Sequence, residues 1–198
     1  MRFETMPVNE IIRETITKFH QSQIPSNRAA YYITSEYGRL LEARAKAEAD
    51  NRAWRGLLTQ LERACAGYAM RDFTNLADNS CYQAEILLHK NIPFLEDDEA
   101  LLTRLGSPRL LLRLFVSVLG PFYHCYVEQM IDSYQFELVE SHPLMPVVQK
   151  VVDGQRYHFL ARDKLLELLP MLTTPFHNQG EVVLFHGLFS DFMGEYMV

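Results

Sequence analysis

The chain has 198 residues, of which 48% are apolar and 22% are charged, so it can form a sizeable core and its composition excludes a disordered protein. Its net charge is −6, and its 19 basic residues are scattered rather than clustered. This pattern disfavours nucleic acid and anionic membranes as partners and suits a basic protein partner.

Neither a signal peptide nor a membrane-spanning segment is predicted. Residues 1–7 contain no apolar run, and no stretch of about 18 apolar residues lacks charges. The three cysteines, Cys65, Cys81 and Cys125, are odd in number and widely spaced, which predicts reduced, buried thiols rather than a disulfide framework. We therefore expect a cytoplasmic protein.

The chain begins with a predicted amphipathic helix. Val8, Ile12, Ile16 and Phe19 recur every three or four residues, which places them on one helical face. This periodicity predicts a helix that ends near Gln21.

Two further helical stripes follow. Ser26 is predicted to cap a second helix, whose apolar face carries Ile33, Tyr37, Leu40 and Leu41. The third stripe is Trp54, Leu57, Leu58, Leu61, Cys65 and Tyr68. This region fits two alternatives equally well: two antiparallel helices joined at Asp50-Asn51, or one long helix.

The middle of the chain gives a mixed signal. Residues 82–88 fit either a helix or a buried strand, because Ala84-Glu85 favours a helix and Ile86-Leu87-Leu88 a strand. The acids at 96–99 precede the apolar residues 100–105 and Gly106, which predicts a short helix.

The strongest strand signal begins at Arg109. Residues 109–119 are almost all apolar, and the aromatic run 122–127 follows Gly120-Pro121. Alternation at Tyr134, Phe136 and Leu138 predicts a half-buried strand.

Three elements are predicted near the C-terminus. Residues 147–152 and 155–160 flank Asp153-Gly154, which predicts a hairpin, with a short helix at 146–152 as the alternative. Residues 163–169 are predicted to form a helix that ends at Pro170. The apolar run in 181–189 predicts a buried terminal strand.

These elements predict an α+β fold with N-terminal helices packed on a mainly antiparallel sheet. Helices come first and strands afterwards, and no linker divides the chain. We expect one domain, 1–198, with a helical part at about 1–106 and a sheet-rich part at about 107–198.

No catalytic, cofactor or metal-binding motif is present. The seven histidines form no HExxH or HxH pattern, and no GxSxG, GxxxxGK[ST] or GxGxxG sequence occurs. We therefore predict no cofactor and no catalytic residue. The alternative is a small metal-dependent hydrolase whose dispersed histidines gather only in the fold.

The candidate functional residues are acidic and aromatic. An acidic surface raises the association rate with a basic partner, and aromatic side chains supply buried contacts. The predicted partner-binding residues are the acids Glu96, Asp97, Asp98, Glu99, Asp191 and Glu195 and the aromatic residues Phe189, Phe192 and Tyr196.

The final third resembles the C-terminal ends of some bacterial immunity proteins. The similarity is carried by Leu168-Leu169-Pro170, Thr173-Thr174, Gly180 to Phe185 and Leu188-Phe189-Ser190-Asp191. These small, acidic cytosolic proteins neutralise polymorphic or contact-dependent toxins. The resemblance implies a protein inhibitor without catalytic residues, whose partner is a toxin domain.

Overall fold

The computed structural model describes residues 6–20, 24–25, 27–95, 98–105, 108–131 and 136–191, with the backbone alone at 98, 99 and 102. These residues form seven α-helices: α1 (Val8–Phe19), α2 (Ser35–Ala49), α3 (Arg52–Ala64), α4 (Asp98–Leu105), α5 (Met145–Asp153), α6 (Arg162–Leu165) and α7 (Leu184–Leu188). A 3-10 helix spans Ala29–Ile33. No helix among them combines the length and apolar character needed to cross a bilayer.

The strands form one sheet in the order β1-β2-β3-β4-β5. Their bounds are β1 (Ala69–Asp72), β2 (Cys81–Leu87), β3 (Arg109–Ser117), β4 (Phe122–Met130) and β5 (Phe136–Val139). All four neighbouring pairs are antiparallel, and the short β6 (His158–Phe159) pairs in parallel with the start of β4. The α+β prediction is confirmed.

The sheet begins earlier in the chain than predicted. β1 and β2 lie within the part expected to be helical, and the ambiguous run 82–88 is a strand. β2 lies between β1 and β3 and is buried on both faces. A strand buried on both faces shows no alternation of apolar and polar residues, which explains why its sequence also fits a helix.

One face of the sheet packs against α3 and α5. Trp54, Leu57 and Leu61 form the buried stripe of α3, as the periodicity predicts. Val148 and Val152 of α5, four residues apart, pack into the same core. Since α2 ends at Ala49 and α3 begins at Arg52, the two-helix alternative is confirmed.

The other face of the sheet packs against α1 and α7. Ile11 and Ile12 of α1 contact a cluster that includes Phe115 of β3 and Phe122 of β4.

Beyond this apolar cluster the same face of the sheet carries buried charges. The carboxylate of Glu85 lies 2.5 Å from the guanidinium groups of both Arg71 and Arg113, and Arg113 also pairs with Glu128.

The second helix begins later than predicted. Its N-terminal cap is Thr34, whose Oγ1 accepts a hydrogen bond from Tyr37 N at 3.3 Å, whereas Ser26 lies outside the described residues. Ile33 belongs to the preceding 3-10 helix and is exposed, so it is not on the buried helical face. Of the predicted stripe, Leu40 is buried.

The predicted hairpin around Asp153-Gly154 is wrong, and the helical alternative, α5, is found. A type I′ turn needs positive φ at both central residues, but Gly154 has φ −60°. Positive φ occurs instead at Arg156, where it is 66°. The second predicted arm, 155–160, contributes only β6, and the helix predicted at 163–169 is limited to α6.

The predicted terminal strand is also wrong, although its burial was predicted correctly. Residues 184–188 form the short helix α7, and Val183 joins Leu168 through an isolated antiparallel bridge. Phe185, Leu188 and Phe189 are at most 1% exposed. A short apolar run is compatible with a buried helix as well as a buried strand, and here the helix packs on α1.

The strand β5, at the edge of the sheet opposite β1, lies where the alternation of apolar and polar residues predicts a strand. The prediction that this strand is half-buried is wrong. Phe136 and Leu138 are both exposed, and Tyr134 lies outside the described residues. Because β5 pairs only with β4 among the described strands, it is an edge strand.

Candidate functional site

Several predicted contact residues fall outside what the structure describes. Glu96 and Asp97 precede α4, and Phe192, Glu195 and Tyr196 follow Asp191; none of these five lies in the fully described ranges. Asp98 and Glu99 form the first turn of α4, which confirms the predicted short helix, but only their backbone is described.

Phe189 and Asp191 are buried, which corrects their predicted role as surface contacts. Phe189 is 0% exposed and stacks on Phe185 at a centroid distance of 5.4 Å. Asp191 is 7% exposed and hydrogen bonds to the chain around residue 176. Neither side chain is available to a partner in this conformation.

The segment that Asp191 contacts is a different candidate surface. It is the loop from Leu168 to Val183, which we call the 168–183 loop. The bridge between Leu168 and Val183 joins its two ends, and Leu169 N and Leu184 N donate hydrogen bonds across the closure, to Val182 O and Glu167 O. The chain between them therefore forms a closed loop.

Hydrogen bonds and two prolines restrict the 168–183 loop. Thr174 N donates to His177 O and Thr174 Oγ1 accepts from His177 N, while the Glu181 carboxylate accepts from Asn178 N. Pro170 and Pro175 fix two φ angles and so reduce the freedom of the unbound loop. Gly180, at φ 88°, supplies a turn that other residues adopt only with strain.

Three large apolar side chains of this loop point into solvent. Leu168 is 60% exposed, Met171 is 61% exposed and Phe176 is 64% exposed. Leu172 and Thr174, in contrast, are buried and fix the loop to the body of the protein. The loop thus presents apolar side chains from an ordered backbone.

The carboxylate of Asp191 contacts the 168–183 loop on its buried side. Its Oδ1 accepts a hydrogen bond from His177 Nδ1 at 2.9 Å, and its Oδ2 accepts one from Phe176 N at 3.1 Å. A carboxylate only accepts, so Nδ1 of His177 carries the proton. Both carboxylate oxygens are therefore engaged by adjacent residues of the loop.

Three of the seven histidines gather in this region, although their sequence positions are far apart. His186 stacks on His177 at a centroid distance of 3.8 Å, and His20 Nε2 lies 2.8 Å from Gly187 O. Burial lowers the pKa of His20, and it lowers the pKa of His186 to about 4, with His177 contributing in the same direction. His186 is therefore neutral near pH 7.

Within the described ranges, no three His, Cys, Asp or Glu side chains are grouped so that they could hold a metal ion. Burial raises the pKa of Cys81 and Cys125 to about 12, so both are thiols at neutral pH and poor nucleophiles.

Apart from the 168–183 loop, an open groove of about 1440 Å³ lies between α2 and the loops after β3 and α5. Its lining carries charges of both signs: Lys18, Arg39, Lys46 and Arg156 together with Glu42, Asp50 and Asp153. The charges of the lining are thus nearly balanced.

Sequence reasoning missed both the 168–183 loop and the contacts of Asp191. Leu168, Met171 and Phe176 are apolar residues that a sequence argument assigns to the core. The prolines and Gly180 were the available signal, because they indicate a constrained loop. Nothing in the sequence links His20 to residues 177–191.

No family model, curated protein or solved structure matches this chain.

Proposed function

We propose that this chain is a protein-binding module, specifically a bacterial cytoplasmic immunity protein that neutralises a toxin by direct binding through the 168–183 loop. The observation that carries the proposal is the exposure of Leu168, Met171 and Phe176, each at least 60%, on a loop whose backbone is held by hydrogen bonds.

Exposed apolar side chains on an ordered loop suit protein recognition. Binding energy at interfaces concentrates in a few large side chains that fill pockets of the partner. Ordering a flexible loop opposes binding by about 0.5–1.5 kcal/mol per immobilised side chain, and an ordered loop avoids part of that cost. The 168–183 loop combines both properties.

The distribution of charge supports a basic partner. The four acids at 96–99, together with Asp191 and Glu195, are six acidic residues in two short segments that contain no Lys or Arg. Six equals the whole excess of acidic over basic residues, so the rest of the chain is neutral overall. Because Asp191 is buried, steering of a basic toxin domain falls to the other five.

The test is rescue of bacteria that express a toxin domain encoded beside this gene. Co-expression of the wild-type chain should restore growth. The variant Leu168→Ser/Met171→Ser/Phe176→Ser, called the loop variant below, should fail to rescue while keeping the wild-type circular dichroism spectrum. Growth restored equally by the wild type and the loop variant would exclude the loop as the contact surface. Failure of the wild type against every neighbouring toxin gene would contradict the immunity function itself.

A further inference from the structure

We infer that Asp191 is a positioning residue that holds the 168–183 loop in one conformation. The three exposed side chains of the loop are then already in their binding arrangement before a partner is bound. The inference rests on the proposed function of the loop as a binding surface. It replaces the expectation that Asp191 contacts the partner itself.

The backbone beside Asp191 is fixed independently of the loop. Ser190 pairs with Asn79 in an isolated antiparallel bridge, and Ser190 Oγ donates a hydrogen bond to Asn79 Oδ1 at 2.5 Å. Ser80 N in turn donates to Phe189 O at 2.7 Å. Asp191 therefore follows a backbone that is held by the bridge to Asn79, and its carboxylate joins that backbone to residues 176 and 177 of the loop.

Charged and titratable groups from several elements face this carboxylate. His20 follows α1, Tyr31 comes from the 3-10 helix, Arg44 from α2, and His177 and His186 from the C-terminal part of the chain; each interacts electrostatically with Asp191 or hydrogen bonds to it. Burial lowers the pKa of Arg44, and attraction to Asp191 opposes that change. The negative charge of Asp191 thus lies where the N-terminal helices meet the loop.

The geometry keeps a donor toward Asp191 in either form of the His177 ring. With Asp191 ionised, Nδ1 of His177 donates to Oδ1 whether the imidazole is neutral or cationic, because a carboxylate is an acceptor in both cases. His186, stacked on the same ring, is neutral near pH 7 and adds no competing charge.

The experiment uses the purified full-length chain without any partner and measures amide hydrogen exchange by NMR. Asp191→Ala removes both acceptors, so protection of the Phe176 amide should fall by about tenfold to a hundredfold, as expected for loss of a hydrogen bond to a charged group. Protection of Leu114 in β3 should remain. Unchanged protection at Phe176 would overturn the inference.

Asp191→Asn provides the sharper test, and it also decides the matter if the alanine variant does not fold. An amide accepts at one atom and donates at the other. When the oxygen of the introduced amide accepts from Phe176 N, its NH₂ group faces Nδ1 of His177, which must then accept. Only a neutral imidazole accepts. Protection of the Phe176 amide in this variant should therefore fall when the pH is lowered far enough to protonate the imidazole, whereas the wild type keeps its protection.

Identical pH profiles for Asp191→Asn and the wild type would contradict the positioning role. This outcome is distinct from failure of the proposed function. Loop order is measured on the isolated chain, whereas the immunity function is measured by rescue. An ordered loop in a chain that rescues no cell would refute the function and leave the role of Asp191 intact.

Discussion

The buried charges on the second face of the sheet give the most quantitative prediction. Glu85 is 2% exposed, and its two oxygens pair with Arg71 and Arg113, while Arg113 also pairs with Glu128. Burial raises the pKa of Glu128, and Arg113 opposes this effect. Glu85→Gln preserves the side-chain volume but removes the charge, leaving both guanidinium groups beside a neutral amide.

Removing one member of a buried ion pair costs about 3–5 kcal/mol, because the partner's charge is left uncompensated. In Glu85→Gln neither partner is fully uncompensated, because Arg113 keeps its pairing with Glu128 and Arg71 is 36% exposed. We therefore expect the free energy of unfolding to fall by about 1.5–3 kcal/mol, the range for a hydrogen bond to a charged group, which is a large fraction of the roughly 5–15 kcal/mol typical of a domain. Arg71→Gln should cost only about 1 kcal/mol, since the Arg71 side chain is 36% exposed and Glu85 keeps its pairing with Arg113.

The assay is urea unfolding at pH 7 with linear extrapolation to water. Glu137→Gln on the exposed edge strand β5 is the matched control, and it should change the free energy of unfolding by less than about 0.5 kcal/mol. If Glu85→Gln were as mild as Glu137→Gln, the reasoning that the buried charges depend on each other would be refuted.

Three further predictions concern pH, packing and backbone. Burial lowers the pKa of His124 to about 4, so the unfolded chain takes up this proton more readily than the folded protein does. The free energy of unfolding should therefore fall as the pH decreases from about 6.5 to 4, by up to about 3 kcal/mol from this residue. His124→Gln should make the melting temperature less dependent on pH in thermal scans over this range. Leu61→Ala in the core of α3 should cost about 2–5 kcal/mol in urea unfolding, and a cost under about 1 kcal/mol would contradict the packing described. Gly120→Ala should lower the melting temperature, because a Cβ at residue 120 would lie 2.6 Å from the buried Phe122 ring. Gly56→Ala in α3 should raise the melting temperature, since a Cβ at residue 56 would have nothing within 4 Å and alanine favours a helix. The opposite order of melting temperatures would refute this explanation.

The fold class followed from the sequence because several elements have an unambiguous period. The stripe of α3 and the long apolar strands β3 and β4 are found where the pattern predicts them. The failures occur where tertiary contacts decide. Residues 181–189 are apolar enough for either a strand or a helix, and packing against α1 selects the helix. Gly154 adopts helical φ and ψ, so the favoured turn sequence Asp153-Gly154 ends a helix instead.

The candidate site was less predictable than the fold. Acidic and aromatic composition directed attention to Phe189 and Asp191, but both are buried. The exposed residues Leu168, Met171 and Phe176 carry no local sign of exposure, because their position depends on the bridge from Leu168 to Val183 and on the hydrogen bonds of Asp191.

The most direct test of the account is the dissociation constant of the chain with the purified toxin domain, measured by calorimetry for two matched variants. The loop variant loses three exposed apolar side chains, and we expect its affinity to fall at least about a hundredfold, as three contacts each worth about 1 kcal/mol or more would give. Ile131→Ser/Phe136→Ser/Leu138→Ser removes three exposed apolar side chains at and beside the edge strand β5, and it should bind within about threefold of the wild type. Equal affinities for the two variants, or a greater loss in the β5 variant, would contradict the assignment of binding to the 168–183 loop.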